Sequence, residues 1–263
     1  MKILLTFVLL FSLFASCAKQ DAPPENLTIT EGFLSVGVEI GYPPMEYYDT
    51  DGVTPIGFDI ELTKALAQKL DLQINYIDTT WEGILAGLDA DRYDIAVNIT
   101  ILPARQEKYN FTKPYIDSSM TIVALKNSPV KIERLQDITG KRVAYQGDTT
   151  AQYFTERLRN QNIVFTSYSY DKILNCFADL TLKRVDIIVV DNIVAFYYAG
   201  KENANIEVIW QGPSDEYIGI ALKKGNNVLT NALNNALDEL FEDGTIAEIS
   251  QRIFGREIYG IKD

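Results

Sequence analysis

The chain has 263 residues and a formal net charge of −12 at pH 7, because 36 Asp and Glu outnumber 24 Lys and Arg. So acidic a surface repels phosphate backbones and anionic lipid head groups, and nucleic acid is therefore not an expected partner. The chain has no histidine, which excludes the usual general base, the commonest metal ligand and the ordinary serine and cysteine triads. We therefore expect no metal, no cofactor and no catalytic residue.

The first sixteen residues have the layout of an export signal peptide. Lys2 precedes an apolar run over residues 3–14, and small residues then lead to Cys17. A dozen apolar residues are too few for a membrane-spanning helix, which needs about 20, so we expect residues 1–16 to be removed. The sequence FASC at 14–17 resembles a bacterial lipobox, which predicts lipidation of Cys17. Ordinary cleavage beside an incidental Cys17 is the alternative.

The segment after Cys17 is polar, contains two prolines and shows no apolar periodicity. It predicts a flexible tether over residues 17–32, with the folded body beginning near Phe33. About 230 residues remain, enough for two lobes of about 100 to 130 residues each. The other cysteine, Cys176, lies in an apolar helical stretch and is expected to be buried and inert.

Strands and helices alternate along the rest of the chain. Apolar alternation or short apolar runs predict strands at residues 33–40, 73–77, 93–98, 121–126, 142–146, 163–168, 186–191, 206–210 and 217–225. Helical spacing predicts helices at residues 58–70, 83–88, 150–159, 171–182, 193–199, 226–241 and 245–254, with Asp59 placed to cap the first. This alternation, with several strands apolar on both faces, predicts an α/β fold of parallel sheets covered by helices.

Six stretches, in order, carry a family resemblance. They are GYPPMEYYDTDGVTPIGFDIELTKALAQKL, TTWEGILAGLDADRYDIAVNITILPARQEKYNFTKPY, VAYQGDTTAQYF, RVDIIVVDN, YIGIALKKGN and FEDGTIAEISQRIFG. The chain from Phe33 to Gly255 is similar to the bacterial periplasmic amino-acid-binding proteins, solute-binding protein family 3 of ABC transporters. No single motif would suffice, but six of them at the spacing of the family are specific.

The resemblance implies a periplasmic-binding-protein-like type II fold, in which two α/β lobes are joined by a two-strand hinge with the ligand cleft between them. The first lobe would comprise residues 33–118 and 217–263, and residues 119–216 would form the hinge strands and the second lobe. The hinges would lie near residues 119–122 and 213–216. A cleft at the carboxyl ends of strands is where parallel sheets favour a ligand site.

A free amino acid presents a carboxylate and an ammonium, and a closed cleft must pair both charges. By resemblance, Arg105 and Thr100 would bind the carboxylate from the first lobe and Thr149 from the second, with Asp191 taking the ammonium. Asn98 stands where the family has a small residue whose main-chain carbonyl receives the ammonium. From the residues alone, a solvated Arg105 and simple helix N-caps at Thr149 and Asp191 remain open.

The resemblance also places three residues around the side chain of the ligand. Tyr42 and Trp81 match aromatic rings that sandwich it, and Glu39 matches a carboxylate near the tip of cationic ligands. Rings with an acid suit a guanidinium or ammonium, so arginine, lysine or ornithine is the preferred class. Glutamine and histidine are the alternatives, because receptors for uncharged side chains also carry an acid at the Glu39 position.

The expected output is uptake. The resemblance implies a monomeric receptor outside the cytoplasmic membrane, held only by its lipid anchor, that closes on its ligand and docks on a membrane permease driven by an ATPase. The fold also hosts cyclohexadienyl and arogenate dehydratases, so an enzyme is one alternative. A sensory binding subunit that hands its bound state to a signalling receptor is another.

Overall fold

The computed structural model describes residues 27–257 and contains two main sheets with their covering helices. In chain order the strands are β1 (Phe33–Val38), β2 (Tyr47–Tyr48), β3 (Pro55–Ile56), β4 (Gln73–Asp78), β5 (Ile95–Thr100), β6 (Tyr109–Phe111), β7 (Ile116–Ser118), β8 (Met120–Leu125), β9 (Arg142–Gln146), β10 (Thr166–Tyr170), β11 (Ile187–Asp191), β12 (Ile206–Gln211) and β13 (Glu216–Lys223). The α-helices are α1 (Phe58–Lys69), α2 (Trp81–Asp89), α3 (Pro103–Gln106), α4 (Thr150–Asn160), α5 (Ile173–Thr181), α6 (Asn192–Gly200), α7 (Asn227–Glu242) and α8 (Thr245–Phe254). A 3-10 helix spans Leu135–Ile138. Every predicted strand and helix has a counterpart.

The first lobe is built on a sheet with the strand order β4-β1-β5-β13-β6, and β7 pairs with β13. Strand β1 runs parallel to β4 and β5, whereas β13 is antiparallel to β5. Helices α1, α7 and α8 cover one face of the sheet, and α2 covers the other. Strands β1 and β5 are therefore buried on both faces, which agrees with their mostly apolar sequences.

The second lobe is built on a sheet with the strand order β10-β9-β11-β8-β12. Strand β9 runs parallel to β10 and β11, and β8 is antiparallel to β11 and β12. Helix α4 packs on one face, while α5 and α6 pack on the other. Each lobe thus has its own apolar core on both sides of its own sheet.

The chain passes between the lobes twice. It leaves the first sheet at Ser118 and joins the second at Met120, and it returns between Gln211 and Glu216. Two α/β lobes joined by two crossing segments are the type II periplasmic-binding-protein fold. Ile122, expected in a hinge, lies inside β8 of the second lobe.

The prediction that Asp59 caps α1 is wrong. The N-cap residue is Gly57, and the Asp59 side chain makes no capping bond. Asp59 is fully buried instead, and its Oδ1 accepts a hydrogen bond of 2.7 Å from the Tyr115 hydroxyl. The first turn of α1 therefore directs this carboxyl group into the lobe and not along the helix axis.

The packed body begins earlier than Phe33. Leu27 packs against the core of the first lobe, and the Ile29 amide donates a hydrogen bond of 2.6 Å to Asp94 Oδ1. The end of the predicted tether is therefore part of the first lobe. The predicted signal peptide at 1–16, Cys17 and the tether up to residue 26 lie outside the described residues.

The described residues include Cys176 and all the helices listed above. Cys176 is fully buried, as predicted, and burial raises the pKa of its thiol. No helix within residues 27–257 is long and apolar enough to cross a bilayer.

Candidate functional site

A small cavity lies between the lobes, where the carboxyl ends of parallel strands from both sheets face each other. It is lined by Tyr42, Trp81, Asn98, Thr100, Ser118, Gln146, Thr149, Thr150, Asp191, Glu216 and Ile218. Its volume of about 30 Å³ is room for about one water molecule, so the lobes are closed on each other. The structure thus brings six predicted site residues from both lobes to the lining of one cavity. Glu39 and Arg105 are not among the lining residues, but each is hydrogen-bonded to one of them, Gln146 and Thr100 respectively.

Asp191 connects the two lobes. It ends β11, and its Oδ1 accepts a hydrogen bond of 3.0 Å from the Val194 amide, which caps α6. Its Oδ2 accepts a hydrogen bond from the hydroxyl of Tyr42 in the first lobe. Burial raises the pKa of Asp191, and both hydrogen bonds oppose that rise. The carboxylate predicted to hold an ammonium therefore faces a phenol hydroxyl across the cleft.

Glu39 makes a second connection between the lobes. Its two carboxyl oxygens lie 2.8 and 2.9 Å from Gln146 Nε2, which also donates to the Asp171 carbonyl at 2.9 Å. Glu39 is 3% exposed, and this burial raises its pKa to about 7 against the opposing effects of the Gln146 hydrogen bond and of Lys172. Gln146 Oε1 is buried without a hydrogen-bond partner. The Glu39–Gln146 pair therefore offers a ligand a carboxyl group and an amide oxygen that accepts no other hydrogen bond.

Arg105 lies on α3, which starts at Pro103, a residue suited to the first helical position. Its Nη1 donates to the Thr100 carbonyl at 3.1 Å, and its guanidinium carbon lies 5.8 Å from the Trp81 ring centroid. The side chain also meets the hydroxyl of Tyr153 from the second lobe. Arg105 is 9% exposed, and burial lowers its pKa. It is therefore not a solvated helix-start residue.

Asn98 has a left-handed backbone, with φ of 59°. The pairing of β5 with β13 shifts register between Gly219 and Ala221, so Asn98 sits in a β-bulge. Its amide N–H donates to the Tyr115 hydroxyl at 3.0 Å, and its Nδ2 donates to Glu46 Oε1 at 3.3 Å. The bulge frees this residue from the regular ladder and turns it towards the cavity.

Thr149 occupies the N-cap position of α4 without capping the helix through its side chain. Its hydroxyl donates instead to the Gln146 carbonyl at 2.7 Å. The capping alternative is thus wrong for the Thr149 hydroxyl. The neighbouring Thr150 hydroxyl reaches across the cleft to Glu216 Oε2 at 3.4 Å.

Sequence reasoning missed several cavity residues. Gln146 is the last residue of β9, so the rule that ligand sites lie at the carboxyl ends of parallel strands could have found it. Glu216 begins β13 beside the second crossing segment, and burial raises its pKa to about 7. Nothing in its local pattern marked it, because its burial depends on the second lobe lying over it. Within residues 27–257 no group of His, Cys, Asp and Glu is arranged to hold a metal ion.

Two hinged lobes that bury charged groups from both halves around one cleft define a ligand-sequestering binding protein. The chain belongs to the bacterial extracellular solute-binding proteins, family 3, whose sequence model matches residues 34–256. The description of this family is of solute-binding proteins.

Several known proteins are similar to the chain. The L-cystine-binding protein TcyJ of Escherichia coli (strain K12) is 33% identical over 234 residues, which cover 89% of this chain and 86% of TcyJ. An ancestral arginine-binding protein bound to arginine matches with a TM-score of 0.80 and 32% identity, over 86% of this chain and 99% of its own. The ancestral amino-acid-binding protein AncCDT-1, a precursor of cyclohexadienyl dehydratase, matches with a TM-score of 0.76 and 31% identity, over 85% of this chain and 95% of its own.

The hydrogen bond from Tyr42 to Asp191 should help to keep the ligand-free lobes closed. In Tyr42→Phe, Asp191 keeps its bond to α6 and loses its partner from the first lobe. A hydrogen bond to a charged group contributes about 1.5–3 kcal/mol, so we expect the ratio of open to closed protein to rise about tenfold or more. Single-molecule energy transfer between dyes on the two lobes measures this ratio. Tyr48→Phe, at a ring that is 43% exposed, is the control, and an unchanged distance distribution in Tyr42→Phe would contradict the expectation.

Proposed function

We propose that the protein is the extracytoplasmic amino-acid receptor of an ABC transporter and that its preferred ligands are L-amino acids with a cationic side chain: arginine, lysine or ornithine. In this proposal residues 1–16 are a signal peptide, a lipid on Cys17 anchors the monomer to the membrane, and the closed form docks on a permease and its ATPase. Family membership supports the receptor role.

The carboxylate and ammonium of the ligand would replace contacts that the two lobes make with each other in the closed cleft. Arg105 and Thr100 bind the carboxylate in the first lobe, and Thr149 adds its hydroxyl when the second lobe closes. The ammonium replaces the Tyr42 hydroxyl at Asp191 and meets the Asn98 carbonyl. Because the cavity of about 30 Å³ is too small for an amino acid, the lobes must separate before the ligand binds.

One observation supports the preference for a cation. Burial destabilises the charged forms of the carboxyl groups around the cavity more than their hydrogen bonds and neighbouring charges stabilise them. Burial is the main cause that raises the pKa of Glu39 and of Glu216 to about 7, and it also raises the pKa of Asp191. A positive side chain brought among these groups would stabilise their charged forms. Tyr42 and Trp81 offer aromatic faces for the same cation.

L-cystine is the second candidate ligand. It is supported by the 33% identity with the L-cystine-binding protein of E. coli and by the buried, unpaired Gln146 Oε1 beside Glu39, which could accept the second ammonium of cystine. Glutamine and histidine complete the set of alternatives. A reducing agent separates cystine from all the others, because it cleaves cystine to cysteine.

A thermal-shift screen tests the receptor role. We expect arginine, lysine or ornithine to raise the melting temperature most, because a ligand at 100 times its dissociation constant adds about 2.7 kcal/mol of stability. The panel also contains L-cystine with and without reductant, glutamine, histidine and the remaining amino acids. A largest shift with cystine that reductant abolishes would replace the cationic class. No shift with any compound, in protein refolded to remove bound ligand, would contradict the receptor role.

Arg105→Ala tests the assignment of the carboxylate site. Truncating one member of a buried charge pair costs about 2–5 kcal/mol, so we expect the affinity of the ligand found in the screen to fall about a hundredfold or more. Isothermal titration calorimetry measures the affinity, and the unliganded melting temperature should change little. Arg134→Ala, whose side chain is 75% exposed, is the control. An unaltered affinity in Arg105→Ala would place the carboxylate elsewhere.

The pH dependence of affinity tests the role of Glu39. With a pKa of about 7, Glu39 is protonated in acid and must lose that proton to pair with a cation. The affinity for arginine should therefore fall as the pH falls below about 7, by up to about tenfold per pH unit. Glu39→Gln should flatten this slope and weaken arginine binding.

Glu216→Gln is the matched comparison for this test, because Glu216 also has a pKa of about 7. A slope that persists in Glu39→Gln and vanishes in Glu216→Gln would make Glu216 the partner of the cation. A ligand with a neutral side chain should show little slope in either variant.

A further inference from the structure

Two acids are buried directly behind Asn98. Glu46 is 1% exposed and Asp59 is 0% exposed. Glu46 Oε1 accepts from Asn98 Nδ2 at 3.3 Å, and Asp59 Oδ1 accepts from the Tyr115 hydroxyl at 2.7 Å. The other oxygen of each carboxyl group, Glu46 Oε2 and Asp59 Oδ2, is buried and meets no N–H or O–H donor. The two side chains nevertheless lie within hydrogen-bonding reach of each other.

A single proton between the two unpaired oxygens satisfies both. Ionised carboxylates are acceptors only, so two of them side by side would repel each other and leave both oxygens without a donor. A protonated carboxyl group donates to its neighbour and removes both defects. This is the arrangement of any carboxyl pair that is too close for both members to ionise.

The neighbouring hydrogen bonds place the proton on Glu46. The Tyr115 hydroxyl accepts from the Asn98 amide N–H and directs its own hydrogen to Asp59, which suits an ionised Asp59. Glu46 Oε1 accepts from the Asn98 side chain, so it is the carbonyl oxygen of the acid. The proton then lies on Glu46 Oε2 and is donated to Asp59 Oδ2.

The groups that face the pair from the surrounding elements are acids and phenols. Glu39, which directly follows β1, raises the pKa of Glu46 further, after burial and the charge of Asp59. Burial is the main cause that raises the pKa of Tyr76 on β4 and of Tyr115 after β6, and the charge of Asp59 raises both further. Burial raises the pKa of Glu46 well above its ordinary value and that of Asp59 to about 6.

We propose that Glu46 and Asp59 share one proton and that this carboxylic acid–carboxylate pair is the positioning element that holds Asn98 in its left-handed conformation at the ligand site. Asn98 is fixed at both ends by the pair. Its backbone N–H is held through Tyr115 and Asp59, and its side-chain amide is held by Glu46. The importance of Asn98 for the ligand rests on the proposed function, whereas the shared proton does not.

Infrared spectroscopy of the full mature chain detects the proton without any ligand. A protonated carboxylic acid has a carbonyl band distinct from that of a carboxylate. We expect this band to persist at about pH 9, roughly two pH units above the pKa of about 7 of Glu39 and Glu216. It should disappear in Glu46→Gln and in Asp59→Asn, where the new amide donates to Glu46 and lets it ionise. A wild type without the band, or Glu46→Gln with the band intact, would overturn the shared proton.

Two substitutions of Glu46 test the positioning role. Gln is close in shape to the protonated acid, and its amide can donate to Asp59 while its carbonyl accepts from Asn98. We therefore expect Glu46→Gln to keep the Asn98 amide resonance in nuclear magnetic resonance spectra and to bind arginine within a few-fold of wild type. Glu46→Ala removes both bonds, so it should shift that resonance and lose about tenfold or more in affinity.

Equal losses in Glu46→Gln and Glu46→Ala would overturn the positioning role, as would an Asn98 resonance that moves in neither. The resonance and the infrared band report on the pair even when the screen finds no ligand, so failure of the receptor role is distinguishable from failure of this inference. Where Glu46→Ala does not fold, Glu46→Gln and Asp59→Asn carry the test.

Unfolding in urea tests whether the shared proton makes the free energy of unfolding decrease as the pH rises. The unfolded chain releases the Glu46 proton near the ordinary value of 4.5, whereas the folded chain keeps it. Wild-type stability should therefore fall relative to Glu46→Gln as the pH rises from about 5 to about 8, since the folded state then binds more protons than the unfolded state. The wild-type midpoint minus the Glu46→Gln midpoint should decrease steadily over this interval, and a constant difference would contradict the shared proton.

Discussion

The closed cleft depends on hydrogen bonds that each lobe donates to a buried acid of the other lobe. Buried carboxyl groups are tolerated only when donors reach them, and two of the acids at the cleft receive a donor from the opposite lobe: Tyr42 for Asp191, and Gln146 for Glu39. A ligand must therefore offer these acids at least what the protein already offers them. Affinity is then the difference in free energy between the cleft closed on itself and the cleft closed on a ligand. The proposed preference for cationic ligands rests on this difference, because a cation would bring a positive charge to acids that here accept hydrogen bonds from a phenol and an amide.

The fold follows from the sequence because its signals are local and repeated. Strands such as β1, β5 and β11 are apolar on both faces, and the helices between them show one apolar face each. Elements whose existence depends on distant partners were not predicted. Strands β6 and β7 are three residues long and form only because β13 returns from the end of the chain to pair with them.

Part of the candidate site could be predicted from the family resemblance and from the rule that ligands bind at the carboxyl ends of parallel strands. The structure adds the contacts that the candidate residues make with one another. Six of the residues placed in the cleft by resemblance line one cavity between the lobes, and Glu39 and Arg105 are hydrogen-bonded to residues that line it. Asp59 was misjudged, because an acid in a first helical turn resembles a cap, and its true partner, Tyr115, lies far along the chain. Glu46 and Glu216 carry no local signal, since their burial is decided by which segments fold over them.

The two halves of the molecule differ in how far apart their pairing segments lie along the chain. The second lobe is one continuous stretch from β8 to β12, whereas the first lobe cannot complete its sheet until β13 has arrived to pair Ile218 with Thr100. Closing so long a loop slows folding. While the chain is being made from its amino end, the second lobe can therefore reach its native topology before the first, and the hinge forms last, when the returning segment joins the two.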